Sequence, residues 1–237
     1  MPHTIIALHC WASSGREYDV VRTLLPDTEL LPPDLPGFGH QSVPPGFDYS
    51  VGAYVDWLTA YIQQHSVVDF TLIGHSMSGK MALAFATRRP AGLRRLVLLS
   101  PSPPAGEPMT DADRAASLAA FGKPEEAEKT FEKITCRPLA AELRAQVIAD
   151  NLLTTQPAWA NWLEKGARED ITALMPRLNL PCHLLVGEGD KPIPPDTQRR
   201  LTLPLLPAGT PFTIVPGAGH LLPLEAPEVV AAAVRLP

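Results

Sequence analysis

Six short apolar runs punctuate this chain, at residues 4–9, 29–31, 70–74, 93–100, 182–187 and 212–215. Several are apolar on successive positions rather than on alternate ones, the pattern of a strand buried on both faces. Such strands form a sheet only if helices cover both sides. The chain supplies them, with helical periodicity over 18–25, 51–64, 76–89 and 226–235. Strand and helix in alternation specify an α/β fold with a mostly parallel, doubly wound sheet of about six strands.

One stretch breaks the alternation. Between residues 101 and 175 there is no convincing strand, only helix-like pieces at 111–121, 124–134, 139–153 and 157–165. The Pro-rich stretch SPSPPAGEP at 100–108 opens it. This predicts a core of residues 1–100 and 176–237 with a helical lid, 101–175, inserted after the fourth strand. Open parallel sheets bind ligands at the carboxyl ends of their strands, so an insertion at that rim is placed to cover a site.

Composition removes several function classes. The 237 residues carry a net charge of −5, and no basic cluster exceeds two adjacent Lys or Arg, so nucleic acid is not an expected partner. No apolar run approaches the ~20 residues that span a bilayer, and the start, MPHTIIALHC, lacks the basic region and cleavage site of a secretory signal. The three cysteines, Cys10, Cys136 and Cys182, have no metal-type spacing. They read as reduced thiols and imply a cytoplasmic address. Proline, at 27 residues, is about twice its usual ~5% share, and is scattered as loop punctuation.

The chemistry centres on FTLIGHSMSGKMALAFA at 70–86. A strand runs into a sharp turn at Ser76 and a helix follows at once. Such a turn exposes the hydroxyl and demands small neighbours, here Gly74 and Ser78. Read alone, Ser76 is also an ordinary helix cap. A hydroxyl needs a base to act as nucleophile. Of the seven histidines, His220 follows the strand FTIV and the Pro-Gly-Ala-Gly loop, which puts it on the same rim as Ser76. His9, at the end of the first strand, and His75, inside the turn, read as structural. The base needs an orienting acid. Asp190, just past the strand CHLLVG, is preferred to Asp34, which reads as a loop-fixing residue ahead of Pro-Gly turns, and to the nearby Glu188, which reads as exposed.

With these residues placed, the chain resembles the α/β-hydrolase-fold proteins along nearly its whole length. The motifs are LHCWASSG at 8–15, DLPGFGHQS at 34–42, GHSMSG at 74–79, VGEGDKPIP at 186–194 and PGAGHLLPLEAPE at 216–228. The resemblance implies Ser76 as nucleophile, His220 as base and Asp190 as orienting acid, with the backbone N–H groups of Trp11 and Met77 binding the oxyanion. It also implies no metal and no organic cofactor. Three departures stand out: Ser78 and Cys10 occupy positions where the family usually has Gly, and the family's two opening strands are missing. An uncovered sheet edge is a place for a second copy to pair, as in a homodimer.

Within the family the chain is similar to small lidded carboxylesterases, including the pimeloyl-carrier-protein methyl ester esterases. A small-molecule ester is therefore the expected substrate. Carbon–carbon bond hydrolysis and cofactor-free perhydrolysis use the same triad and stay open, as does a non-catalytic small-molecule receptor of the same fold. In the lid, Trp159 and Trp162, with Leu118, Phe121 and Leu152, read equally as tunnel lining and as the lid's own core.

Overall fold

A computed structural model describes residues 3–235. Its six strands are β1 (Thr4–Leu8), β2 (Glu29–Leu31), β3 (Phe70–His75), β4 (Leu93–Leu99), β5 (Cys182–Gly187) and β6 (Phe212–Val215). They form one sheet in the order β2-β1-β3-β4-β5-β6. Every neighbouring pair is parallel. The chain steps outward from β1 to β2, then returns past β1 to β3. The strand order reverses there, so the carboxyl ends of β1 and β3 diverge around a crevice. Leu8 pairs with Gly74 across that point. The loop after β1 and the turn after β3 therefore leave the sheet side by side.

Side-chain alternation splits the core into two layers. Ile6, Leu8 and Leu72 pack on one face against α2 (Val51–Gln64) and α3 (Met77–Thr87). Ile5, Ala7, Ile73 and Val97 pack on the other. There they meet Tyr18 and the C-terminal helix residues Val230 and Val234. The helix α2 shows why its residues fold so: Val51, Tyr54, Val55, Leu58 and Ile62 make one buried stripe, and the Ser50 hydroxyl caps the Ala53 N–H at 3.0 Å.

Helix α3 is buried on every side. Its one long charged residue, Lys80, is therefore expensive unless satisfied. Its Nζ donates to the carbonyls of Gly166 at 3.1 Å and Glu169 at 2.8 Å, and reaches Ala167 at 3.5 Å. Burial pushes its ammonium down to about 8.

Between β4 and β5 lie α4 (Asp111–Ala119), α5 (Pro124–Ile134), α6 (Ala141–Leu153) and α7 (Gln156–Glu164). The predicted helical pieces are present with ends shifted by one to two residues. Elsewhere the sequence overreached. The helix expected over 18–25 is a 3-10 turn, Gly15–Tyr18, followed by the short α1, Asp19–Thr23. The helix expected over 226–235 is present as α10 (Pro227–Arg235), preceded by α8 (Pro195–Thr197) and α9 (Leu222–Glu225). Pro227 disfavours helical backbone at Ala226, which lies at φ −146°.

The end of β5 packs against the loop after β6 with no room to spare. A Cβ at Gly187 would stand 1.9 Å from the Gly219 carbonyl oxygen. Gly187→Ala is therefore expected to destabilise the fold by about 1–3 kcal/mol, read as a melting temperature lower by roughly 2–12 °C. An unchanged melting temperature would contradict this packing.

Candidate active site

Ser76 sits at the tip of the turn between β3 and α3 with φ 54° and ψ −117°, outside the comfortable regions for a residue with a side chain. Its neighbours permit this. A Cβ on Gly74 would meet Ala82 at 2.7 Å and one on Gly79 would meet Pro101 at 2.5 Å. Ser78 explains its own departure from glycine: its hydroxyl lies 2.8 Å from the Leu8 carbonyl and accepts from the His75 N–H at 3.0 Å. It ties the turn to the end of β1.

The three predicted side chains meet. The Ser76 hydroxyl lies 2.8 Å from His220 Nε2. His220 Nδ1 lies 2.8 Å from Asp190 Oδ2. Asp190 accepts the Ile193 N–H at 2.8 Å on its other oxygen. The carboxylate only accepts, so Nδ1 carries the ring proton and Nε2 is free to accept from Ser76. Burial by itself lowers the His220 value; the Asp190 charge and hydrogen bond, helped by Glu107 and Glu17, outweigh it and raise the base above its ordinary value.

The His220 peptide is held as firmly as its ring. Its N–H donates to the Ile134 carbonyl at 2.7 Å, at the end of α5. Its carbonyl accepts from His75 Nε2 at 2.8 Å. His75 Nδ1 faces Glu17 at 2.9 Å. Burial would raise the Glu17 carboxyl, but the His75 charge and hydrogen bond bring it below its usual value. The two form a buried hydrogen-bonded pair behind the turn. Glu17 also accepts from the Ser13 hydroxyl at 2.9 Å and from the Cys10 N–H at 3.4 Å, which fixes the loop after β1. Glu225 clasps the base from the far side. It takes the N–H groups of Gly219 at 2.9 Å and Leu221 at 3.1 Å, and those of Cys136 at 2.7 Å and Arg137 at 2.8 Å. None of these carboxylates was legible as a site residue. Glu225 lies inside a recognised motif, and Glu17 carries no sequence signal at all.

Trp11 lies in the loop after β1, and Met77 opens α3 directly after Ser76. Neither backbone N–H has a hydrogen-bond acceptor among the described residues. Cys10, Glu17 and His75 bring ligand-type atoms within 4.8 Å of one another. Burial pushes the Cys10 thiol well above its ordinary value, and Glu17 and His75 already bond to each other, so the cluster is a poor fit for a cation. His9 is structural: Nδ1 lies 2.7 Å from the Cys10 carbonyl and Nε2 accepts from the Leu35 N–H at 2.9 Å. Asp34 fixes loops, accepting from Gly15 and His40 at 2.8 Å each. Glu188 is exposed and accepts from the Gly217 N–H.

A cavity of about 440 Å³ opens onto Ser76 and His220. Trp159 and Trp162 line it while also belonging to packed clusters, so both readings of these residues hold. Leu118 and Phe121 pack behind Trp159 and do not line it, and neither does Leu152.

The chain matches the sequence model described as the alpha/beta hydrolase family over residues 5–233. It belongs to that family. Among curated relatives, it is 28% identical to a 2-succinyl-6-hydroxy-2,4-cyclohexadiene-1-carboxylate synthase of Enterobacter sp. (strain 638), over 96% of this chain and 88% of that protein. It is 35% identical to a 2-hydroxy-6-oxo-2,4-heptadienoate hydrolase of Pseudomonas putida, over 33% of this chain and 30% of that one. Among solved structures, an esterase from Exiguobacterium antarcticum superposes with a TM-score of 0.88 at 17% identity, covering 100% of this chain and 92% of that one. A meta-cleavage product hydrolase from Pseudomonas fluorescens IP01 gives 0.81 at 16% identity, covering 99% and 90%. Among the described residues no helix is long and apolar enough to cross a membrane.

A reaction that uses His220 as base requires the neutral ring. Its raised value means that kcat/KM falls on acidification with a midpoint above 6.5. Asp190→Asn removes the raising charge and leaves burial, so the midpoint should move down as the rate drops. A midpoint that stays put in that variant would contradict the assignment.

Proposed function

We propose that this protein is a serine hydrolase that cleaves small-molecule carboxylic esters through an acyl-enzyme intermediate. The observation that carries the reading is the unbroken chain Ser76–His220–Asp190, with 2.8 Å at both links, at the mouth of a cavity. Ser76 Oγ attacks the ester carbonyl while Nε2 of His220 takes its proton. Asp190 holds the tautomer and stabilises the imidazolium. The oxyanion forms against the N–H groups of Trp11 and Met77, which have no acceptor of their own. His220 then gives its proton to the departing alkoxide. A water activated by the same nitrogen attacks the acyl carbon and frees Ser76. These steps draw on the chain's own groups. Residues 101–175 act as the lid: Trp159 of α7 packs against Trp11, ring centroids 4.1 Å apart and planes tilted by 45°, so lid and oxyanion loop share one wall of the cavity.

A second reading, carbon–carbon bond cleavage, is favoured by the relative named as a 2-hydroxy-6-oxo-2,4-heptadienoate hydrolase. The same Ser76 and His220 would serve it, with a carbanion rather than an alkoxide leaving.

Short-chain p-nitrophenyl esters test the first reading. Wild-type protein should release p-nitrophenol, and Ser76→Ala should lose a factor of about 10⁴ or more with its melting curve intact. Substantial activity in the variant would remove Ser76 as nucleophile. No turnover of esters by the wild type, with cleavage of a dienoic diketone instead, would move the assignment to the second reading.

A further inference from the structure

The cavity carries an acid that the hydrolytic steps leave unused. Glu107 lies in the segment leaving β4 and lines the same space as Ser76 and His220. Its peptide is fixed: the N–H donates to the Ala167 carbonyl and its own carbonyl accepts from the Met109 N–H, both at 2.8 Å. The residue is half-buried. Burial pushes it above the usual carboxylate range, while Lys80, the Ser102 hydroxyl, His220 and Arg114 draw it back.

The chain supplies this carboxyl with little. Among the described residues its carboxyl makes no ion pair and no hydrogen bond, and the Ser102 hydroxyl is itself buried without a hydrogen-bond partner. Lys80 directs its N–H groups to the carbonyls of residues 166–169. Arg114 donates to the Leu163 carbonyl. The segment that carries Glu107 meets the turn at Ser102, whose backbone N–H donates to the Ser76 carbonyl at 2.8 Å. The other charged residues around the cavity stand at its mouth. Asp113, Lys129, Lys133 and Lys191 are exposed, and Glu126 pairs with Lys129 at 2.7 Å. No arginine is among the described residues that line the cavity. The inner wall therefore offers one charged side chain, an acid, amid Trp162, Leu163 and Met109.

We propose that Glu107 is a specificity-determining subsite that receives a hydrogen-bond donor on the substrate, an ammonium or a hydroxyl group, and turns carboxylate-bearing substrates away. A half-buried carboxyl with spare acceptor capacity in an otherwise apolar lining gains a hydrogen bond when a donor reaches it. An arriving ammonium also favours its ionised form. A carboxylate guest either repels it or forces it to hold a proton. At an effective dielectric of ~20 and separations across such a cavity, that repulsion reduces binding roughly tenfold or more.

This rests on the hydrolase reading above, and the experiment separates the two. Methyl esters of matched chain length, ending in methyl, hydroxyl, ammonium or carboxylate, are compared by proton release over several lengths. The wild type should take ammonium- or hydroxyl-ended esters at least tenfold better in kcat/KM than carboxylate-ended ones at its best length. In Glu107→Gln the ammonium-to-carboxylate ratio should collapse at least tenfold, and the hydroxyl arm tells a neutral donor from a cation. Matched methyl ketones with the same ends, which cannot be hydrolysed, are run in parallel as melting-temperature shifts of the wild type. They report the same order if the variant does not fold or if no ester turns over. A wild type that favours carboxylate ends, or a folded Glu107→Gln with unaltered ratios, would overturn the subsite. Ketones that bind in the proposed order without any ester turnover would overturn the hydrolase reading alone.

Discussion

The molecule depends on one strained peptide. Ser76 holds φ 54° and ψ −117°, a conformation that costs about 1–3 kcal/mol and persists only where its surroundings leave no alternative. Those surroundings are backbone. The Ser76 N–H donates to the Leu99 carbonyl at 2.9 Å, and the Ser76 carbonyl accepts from Gly79 at 2.9 Å and Ser102 at 2.8 Å. The end of β4, the segment just after it and the first turn of α3 thus grip the residue from both sides. A hydroxyl on a floppy loop would find its base only part of the time. Here the sheet itself is the reference frame, and the strain is carried by the packing of α3 beneath it.

The second fixed point is the His220 peptide, and it is fixed by parts of the chain far apart in sequence. Its N–H is held by the end of α5, its carbonyl by His75 and through it Glu17, and its flanks by Glu225. Glu17 also touches the loop that carries Trp11, and Glu225 also touches Cys136 and Arg137 after α5. Two buried carboxylates therefore link the His220 peptide, the loop after β1 and the helical insertion into one network. Each is satisfied by several N–H or O–H donors, the condition under which a buried carboxylate is tolerable. The arrangement explains why the helices between β4 and β5 are not a detachable cover. Their hydrogen bonds run directly to the base.

Much of this was legible in the sequence, for physical reasons that differ by element. Double-faced burial gives β1, β3, β4 and β5 apolar residues on successive positions, so their positions stand out. The turn at Ser76 is legible because sterics demand small residues at Gly74, Ser78 and Gly79. Asp190 and His220 follow strands and so fall on the same rim. What the sequence hides is partnership across distance. Nothing around Glu17 tells that it meets His75, 58 residues on, and Glu107 reads as an ordinary loop acid beside two prolines. The helical periods of α4 to α7 mark helices but not which faces meet the cavity. Trp159 answers to both roles because its ring packs against Phe121 and Trp11 while its indole N–H donates to the Ser117 carbonyl.

The central claim is that Ser76 becomes covalently acylated. Mixing the protein with excess activated ester, quenching in acid within the first turnovers and digesting it for mass spectrometry tests this directly. The account predicts a peptide containing Ser76 heavier by the acyl group, and no such adduct when His220 is replaced by Gln. Turnover with the Ser76 peptide unmodified, or with the acyl group on Cys10, would contradict it.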